Sequence, residues 1–211
     1  MIERLVVFDV LGPMYHYDAS GWEGGAVLPM LDRLRKHGYE IDTAVKEAEA
    51  EETMLLTKQE IPLIMPGFVE TALFLCSEGV TPVVVSAGSS QVLEYTLELA
   101  AEEYYTRTGV YVAPEKVILP EHLISTVPIG SKKQSETWAT AVERFGRVPV
   151  LSVYEDTFKN LEAAMGGLDA TVGYHVTSTK SGLSVVEHDK KIIRGHMQEL
   201  YGPIQKLVRR M

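Results

Sequence analysis

Three short apolar segments constrain the fold of this chain more than any other feature of its sequence. They are rich in β-branched residues, show no helical period, and cover Leu5–Phe8, Pro82–Val85 and Val148–Val153. Such segments are typical of strands that are covered on both faces. Helix-like segments separate them, at Gly67–Ser77, Ser90–Tyr105 and Ser131–Phe145. This alternation predicts βαβ units, a mostly parallel sheet and therefore an α/β fold.

The boundaries of the later elements follow from local signals. The segment from Ser131 opens with Ser131-Lys132-Lys133-Gln134, a capping-box pattern that predicts a helix start. Strand-like segments follow at Ala170–Tyr174 and Leu183–Val186. A helix is then predicted from Lys191, with an interruption at Gly202-Pro203.

The region between the first strand and the next helix is longer than a simple crossover requires. It predicts two helices, Ala26–Lys36 and Thr43–Leu56, separated at Gly38. We predict a single domain over residues 1–211, with residues 14–64 inserted as a small helical cap over the site. The alternative is an extra helical pair that packs on the sheet.

Each of the three apolar segments leads to a reactive or phosphate-binding residue type. These residues are Asp9, Ser86 and the pair Glu155-Asp156. The carboxyl ends of adjacent parallel strands face one crevice, which is where ligands bind in open α/β sheets. A single Asp at a strand end is often a structural cap. Three such positions in succession favour a catalytic or binding site.

These residues resemble the motifs of the haloacid dehalogenase (HAD) superfamily. Leu5–Gly12 is similar to the first motif, a strand that ends in Asp-x-Asp-Gly, and Val83–Gly88 to the second, a strand that ends in Ser or Thr. Lys132-Lys133 resembles the third, a lone Lys, and Val153–Asn160 the fourth, which contains an acidic pair. The order holds over residues 4 to 174. The resemblance implies a three-layer, Rossmann-like parallel sheet with a cap after the first strand.

The resemblance also implies an activity, that of a Mg²⁺-dependent phosphatase for a small phosphorylated metabolite. Asp9 would be the nucleophile and would form an aspartyl-phosphate. The lysine that stabilises the nucleophile and the phosphoryl group is Lys132 or Lys133, and Lys133 is preferred because the family's lysine commonly lies at a helix start.

The same resemblance assigns the ligands of the site. The implied Mg²⁺ ligands are the side chains of Asp9 and Asp156 and the backbone carbonyl of Leu11, with Glu155 and Asn160 as further members of the metal motif. The phosphate oxygens would be bound by Ser86, Ala87 and Gly88.

Two positions depart from the family pattern, Leu11 and Asn160, whose amide stands where a second acid often lies. Leu11 stands where family phosphatases carry a second Asp, the acid that protonates the leaving group. Such an acid typically contributes about 10²–10⁴-fold to the rate. Either another residue supplies the proton, with Glu155 and His16 as first candidates, or the reaction needs leaving groups that depart as stable anions. The alternatives are a metal-independent C–halogen hydrolase, since dehalogenases also lack the second Asp, and a non-catalytic relative that binds phosphate or metal.

Other polar and reactive residues carry weaker signals. His16 is interpreted as part of a polar surface loop, and the acidic run Glu47–Glu52 as a solvated helix face. Trp138 is interpreted as a packing group. Cys76 lies in an apolar run, which predicts a buried, inert thiol.

Composition excludes several kinds of partner. A formal net charge of −9 argues against nucleic acid, which needs clustered Lys and Arg. No apolar run approaches the roughly 20 residues that cross a bilayer, and the N-terminal sequence lacks a signal-peptide pattern. A single cysteine forms no disulfide within one chain, which favours a reducing compartment and predicts a cytoplasmic protein. The sequence carries no signal for an oligomeric state.

Overall fold

The computed structural model of the chain describes residues 2–17, 22–23, 26–27, 30–59, 62–178, 180, 182–186 and 191–210. The strands of this part of the chain are Leu5–Phe8 (β1), Tyr15–Tyr17 (β2), Trp22–Glu23 (β3), Ala26–Val27 (β4), Pro62–Ile64 (β5), Thr81–Ser86 (β6), Leu123–Ser125 (β7), Val150–Glu155 (β8), Val172–Val176 (β9), Ser184–Val186 (β10) and Lys191–Gly195 (β11). The helices are Met30–Lys36 (α1), Ala44–Leu56 (α2), Phe68–Ser77 (α3), Ser90–Thr108 (α4), Pro114–Val117 (α5), Ser135–Val142 (α6), Phe158–Leu168 (α7) and Met197–Val208 (α8).

The centre of the fold is a sheet in which, among the described residues, seven strands follow the order β10-β11-β9-β8-β1-β6-β7. Strand β1 lies in the middle and pairs in parallel with β6 on one side and β8 on the other. The β6–β7, β8–β9 and β9–β11 pairs are also parallel, whereas β10 is antiparallel to β11. The predicted mostly parallel α/β sheet is confirmed, and the three apolar segments of the sequence are its adjacent central strands.

Two hydrophobic layers cover the sheet because alternate strand residues point to opposite faces. On one face, Phe8 belongs to a core cluster with residues of α3, α4 and α8, including Leu75, Leu97 and Leu200. On the other face, Val7 belongs to a cluster with residues of α6 and α7, including Trp138 and Leu161. The three-layer, Rossmann-like architecture is therefore as predicted.

The segment between β1 and α3 leaves the sheet and returns through a short antiparallel pairing. Strand β2 pairs with β5, with Tyr15 opposite Ile64. Helix α2 lies where the sequence predicts it, capped by Thr43, whose hydroxyl accepts a hydrogen bond from the Lys46 amide at 3.2 Å. The other predicted helix is wrong at its start, since Ala26–Val27 is a strand paired with β3, residues 28–29 lie outside the described residues, and α1 begins at Met30.

Two further boundaries differ from the sequence prediction. Residues Lys191–Gly195 are a strand, because they pair in parallel with β9, with both Ile192 and Ile193 buried. The helix starts at Met197, after His196 and Glu199 form a capping box, and it continues through Pro203. The capping box predicted at Ser131 is also wrong, because residues 131–134 form a turn and α6 begins at Ser135.

Cys76 also differs from its prediction. It is exposed and lies in the last turn of α3, one residue before the helix ends at Ser77. In the part of the chain that the structure describes, no helix is both long enough and apolar enough to cross a bilayer.

Candidate active site

Asp9 lies at the carboxyl end of the central strand, where the backbone holds it in place. Its amide donates to the Tyr154 carbonyl at 2.9 Å, which continues the pairing of β1 with β8. Its carboxylate Oδ1 accepts a hydrogen bond from the Val10 amide at 2.7 Å. The side chain is 4 % exposed, so this carboxylate is fixed in position and largely removed from water.

A buried lysine neutralises part of the charge at this position. The Nζ atom of Lys132 lies 2.6 Å from Asp9 Oδ2 and 2.7 Å from Glu155 Oε2. Trp138 orients this lysine, because its indole N–H donates to the Lys132 carbonyl at 2.7 Å and its ring lies 5.1 Å from Nζ. Lys133, the residue preferred from the sequence, is exposed. The structure thus brings Lys132, and not Lys133, to the carboxylates.

Two further carboxylates come from the end of β8. Asp9, Glu155 and Asp156 each offer an oxygen atom within 4.8 Å of the others. Thr157 holds both neighbours, since its amide donates to Glu155 Oε1 at 3.1 Å and its hydroxyl to Asp156 Oδ1 at 3.2 Å. Gly12 allows this approach, because it has a φ of +91° and a Cβ atom there would lie 2.6 Å from the Asp156 Cβ.

Burial and crowding of like charges shift the acid–base properties of this cluster. Burial, and then the charge of Glu155, raises the pKa of Asp9 to about 7 although Lys132 opposes the shift. Burial also raises the pKa of Glu155 to about 7, and burial together with the Asp9 charge raises the pKa of Asp156. Burial lowers the pKa of Lys132, but the charges of Asp9 and Glu155 outweigh it and hold that pKa above its usual value. The site therefore has more carboxylates than its one ammonium group can neutralise.

This donor set fits a hard divalent cation such as Mg²⁺, which takes oxygen ligands and compensates negative charge. Asn160 adds an acceptor, because its Oδ1 atom is buried without a hydrogen-bond partner among the described residues. The aliphatic side chain of Leu11 can neither donate nor accept a proton. It is half-buried and packs against the core.

The predicted phosphate-binding residues lie beside this cluster, at the end of β6. Ser86 is buried, and its carbonyl accepts from the Thr126 amide at 2.7 Å, which holds the strand end in the sheet. The Gly88 amide lies 3.5 Å from Ser86 Oγ, while Ala87 is exposed. The chain then enters α4, a helix of 19 residues capped by Ser89. A loop that leads into a helix N-terminus directs amide groups at a bound anion.

One acidic residue near this loop was missed by sequence reasoning. Glu51 of α2 is 6 % exposed, and the Tyr15 hydroxyl donates to its Oε1 atom at 2.9 Å. Its Oε2 atom lies 3.4 Å from the position that a Cβ atom of Gly88 would occupy. The interpretation of Glu47–Glu52 as a solvated face is therefore wrong for Glu51. The spacing of Ala48, Glu51 and Leu55 was a signal, because it places Glu51 on the buried stripe of the helix.

His16 also differs from its interpretation as a surface residue. It is buried in β2, and burial, with the nearby charges of His196 and Arg33, lowers its pKa to about 4. The imidazole is therefore neutral at pH 7 and carries no proton to give to a leaving group.

Comparison with solved structures places this architecture among known folds. No protein-family model and no curated protein sequence matches the chain. A HAD family hydrolase from Deinococcus radiodurans R1 with bound phosphate and sodium aligns over 98% of this chain and 96% of its own, with a TM-score of 0.52 and 14% identity. CbbY from Rhodobacter sphaeroides in complex with phosphate aligns over 95% and 96%, with a TM-score of 0.53 and 15% identity. A dehalogenase aligns over 81% and 84%, with a TM-score of 0.51 and 19% identity.

These structural neighbours are HAD-superfamily hydrolases, and the chain has their α/β fold, as the resemblance of its motifs predicted. The alignments with the Deinococcus radiodurans and Rhodobacter sphaeroides proteins extend over nearly the whole of this chain and of theirs.

Proposed function

We propose that the chain is a Mg²⁺-dependent phosphohydrolase that acts on a small phosphorylated metabolite, with Asp9 as its nucleophile. The observation that carries this proposal is the position of the Asp9 carboxylate, held by the Val10 amide and Lys132 between two further carboxylates. The phosphate bound in two structural neighbours of the same fold supports the substrate class. Residues 14–64 act as a cap over the site, since α2 brings Glu51 to the phosphate-binding loop.

The side chains divide the work of phosphoryl transfer between them. Asp9 attacks the phosphorus atom and forms an aspartyl-phosphate, which water then hydrolyses. Lys132 stabilises negative charge on the nucleophile and on the transferring group, while Glu155 keeps the ammonium in place. The Ser86 hydroxyl and the amides of Ala87 and Gly88 donate to the phosphoryl oxygens.

Asp9, Asp156 and the Leu11 carbonyl would hold Mg²⁺, with Glu155 and Asn160 bordering the site, and the bound ion would neutralise charge on the phosphoryl group. The acidic cluster favours this function over a metal-independent C–halogen hydrolase, because three crowded carboxylates beside one ammonium group call for further positive charge, which a bound cation supplies.

The test is a turnover assay with p-nitrophenyl phosphate and acetyl phosphate, each with MgCl₂ and with EDTA. We expect turnover that requires Mg²⁺ and disappears in Asp9→Asn. Halide release from chloroacetate in EDTA would instead identify a dehalogenase. Saturable phosphate binding without turnover of any of these compounds would identify a non-catalytic relative.

A further inference from the structure

We propose that Glu51 is the proton-transfer group of the reaction and takes the place of the acid that Leu11 cannot supply. This assignment rests on the proposed function and adds a catalytic residue from the insert to it. Glu51 is on α2, more than 40 residues after the nucleophile in the chain, at a position that no HAD motif covers.

The position of Glu51 is set by the nucleophile loop itself. The Gly12 amide donates to the Tyr15 carbonyl at 2.8 Å, so Tyr15 is part of the turn that follows Asp9. The hydroxyl of Tyr15, a fully buried side chain, then holds Oε1 of Glu51 at 2.9 Å. The Oε2 atom of Glu51 lies 3.4 Å from the position that a Cβ atom of Gly88 would occupy, on the loop that would bind the phosphoryl oxygens.

The proposed geometry of the reaction places Glu51 on the leaving-group side of the site. In phosphoryl transfer the attacking and leaving oxygens are roughly in line. Asp9 attacks from the sheet, so the leaving oxygen points away from the sheet and towards the insert. Glu51 is a buried carboxyl group that the insert brings to the phosphate-binding loop.

The other titratable groups near the site are placed less well for this role. Glu155 lies on the nucleophile's side and is bound by Lys132 and by the Thr157 amide. His16 is neutral near pH 7, as its lowered pKa of about 4 requires. Burial raises the pKa of Glu47, one turn before Glu51 on α2, although the charges of Lys133 and Arg33 oppose the rise. Its side chain is only half-buried, whereas Glu51 is buried against Gly88.

Glu51 alone can supply and recover the proton that the two steps of the reaction require. In the first step, an Asp9 oxygen forms a bond to phosphorus, the bond from phosphorus to the leaving oxygen breaks, and the Glu51 proton moves to that oxygen. In the second step, a water oxygen bonds to phosphorus, the bond to Asp9 breaks, and one water proton returns to Glu51. In the first step, the negative charge of the substrate phosphate beside Glu51 favours the protonated form of its carboxyl group. In the second step, the leaving group has departed and the carboxylate form of Glu51 is favoured.

The experiment measures kcat for a series of alkyl and aryl phosphates, at saturating Mg²⁺, on wild type and Glu51→Gln. We expect wild type to depend weakly on the acidity of the leaving alcohol. In Glu51→Gln, kcat for alkyl phosphates falls by about 10²–10³-fold, within the usual contribution of a general acid. Aryl phosphates still phosphorylate Asp9, but the slower hydrolysis of the aspartyl-phosphate produces a burst of the released phenol.

Three further variants separate chemistry from structure. Glu49→Gln removes a charge from an exposed position of the same helix and leaves both substrate classes unchanged. Tyr15→Phe removes the hydroxyl that orients Glu51, keeps the buried ring, and lowers alkyl-phosphate turnover more than aryl-phosphate turnover. Glu51→Asp recovers part of the alkyl-phosphate activity. If Glu51→Gln does not fold, Tyr15→Phe and Glu51→Asp decide the question.

The experiment distinguishes an error in the role of Glu51 from an error in the proposed function. Alkyl-phosphate turnover in Glu51→Gln within threefold of wild type, or equal losses on both substrate classes in Tyr15→Phe, overturns the role of Glu51 alone. Wild-type turnover that Asp9→Asn does not remove overturns the proposed function, and the role of Glu51 with it.

Discussion

The carboxyl edge of the sheet and residues 14–64, which we propose as an insert over the site, hold their polar side chains by different physical means. At the sheet edge, backbone groups of buried strands hold the reactive side chain, as the Val10 amide and the Tyr154 carbonyl hold Asp9. In the insert, Glu51 depends on a hydrogen bond from the Tyr15 side chain. We therefore expect a substitution at the sheet edge to change the balance of buried charges in the core. We expect a substitution in the insert to change how its side chains contact the substrate.

The largest expected effect is at the nucleophile. Asp9→Asn should lower kcat for every phosphate substrate by about 10³-fold or more, since no other group can form the covalent intermediate. The melting temperature should change little, because Lys132 keeps Glu155 as a partner and one of three crowded carboxylates is removed. Steady-state kinetics and thermal unfolding check both statements. A variant that is inactive because it melts far below wild type would show that Asp9 is a structural cap.

The two adjacent lysines offer a matched comparison between the interior and the surface. Lys132→Met leaves Asp9 and Glu155 buried without their cation, which should cost about 3 kcal/mol of unfolding free energy and about 10²-fold in kcat. Lys133→Met removes the same charge from an exposed position and should stay within about 0.5 kcal/mol of wild type. Urea unfolding and turnover measure the pair. A larger loss from Lys133→Met would reverse the assignment of the site lysine.

The sheet edge could be predicted from the sequence because one local pattern determines it. A buried parallel strand is apolar and β-branched, and it ends where polar residues begin, so the positions of Asp9, Ser86 and Glu155 follow once the strands are placed. Strand β11 was missed because its neighbour β9 is distant in sequence and Lys191–Gly195 has no strong pattern of its own.

The contacts that select Lys132 and bury Glu51 could not be predicted in this way. Nothing local distinguishes Lys132 from Lys133, since the choice depends on the indole N–H of Trp138, six residues later. The burial of Glu51 is explained by its contacts with two residues that are distant in the chain, Tyr15 and Gly88. A run of glutamates satisfies the pattern of a solvated helix, and although the spacing of Ala48 and Leu55 marks the buried stripe, only tertiary contact shows what Glu51 meets there.

Metal binding tests the charge balance at the sheet edge. Asp156→Asn removes one carboxylate from the cluster and should weaken Mg²⁺ binding by about tenfold or more, with the fold retained. Isothermal titration calorimetry measures the affinity, and circular dichroism serves as the folding control. Asn160→Ala is the comparison at the edge of the cluster, with a smaller expected loss. Unchanged affinity in Asp156→Asn would contradict the metal assignment.

The same cluster predicts how affinity and stability depend on pH. The pKa values of Asp9 and Glu155, about 7 in the folded protein, lie above their ordinary values, so the folded protein retains protons that the unfolded chain loses between about pH 4 and 7. The unfolding free energy of the metal-free protein should therefore receive a contribution from these groups that falls as pH rises through that window. Mg²⁺ competes with the protons, so its affinity should rise between pH 6 and 8, with proton release that calorimetry in buffers of different ionisation enthalpy detects.

The smallest expected effect concerns the hydrogen bond by which α2 of the insert contacts the start of α4. Ser89 caps α4 by accepting a hydrogen bond from the Val92 amide at 3.2 Å, and its hydroxyl donates to Glu52 Oε2 at 2.8 Å. Ser89→Ala should lower the unfolding free energy by about 1 kcal/mol through the lost cap. Glu52→Ala should cost about 0.5 kcal/mol, because this half-buried bond exchanges with water. In a double-mutant cycle the two changes should couple by about 0.5 kcal/mol, whereas Ser89 and the exposed Glu49 should not couple. Zero coupling between Ser89 and Glu52 would mean that α2 does not rest on α4 in solution, and Glu51 would then approach Gly88 only when substrate closes the insert.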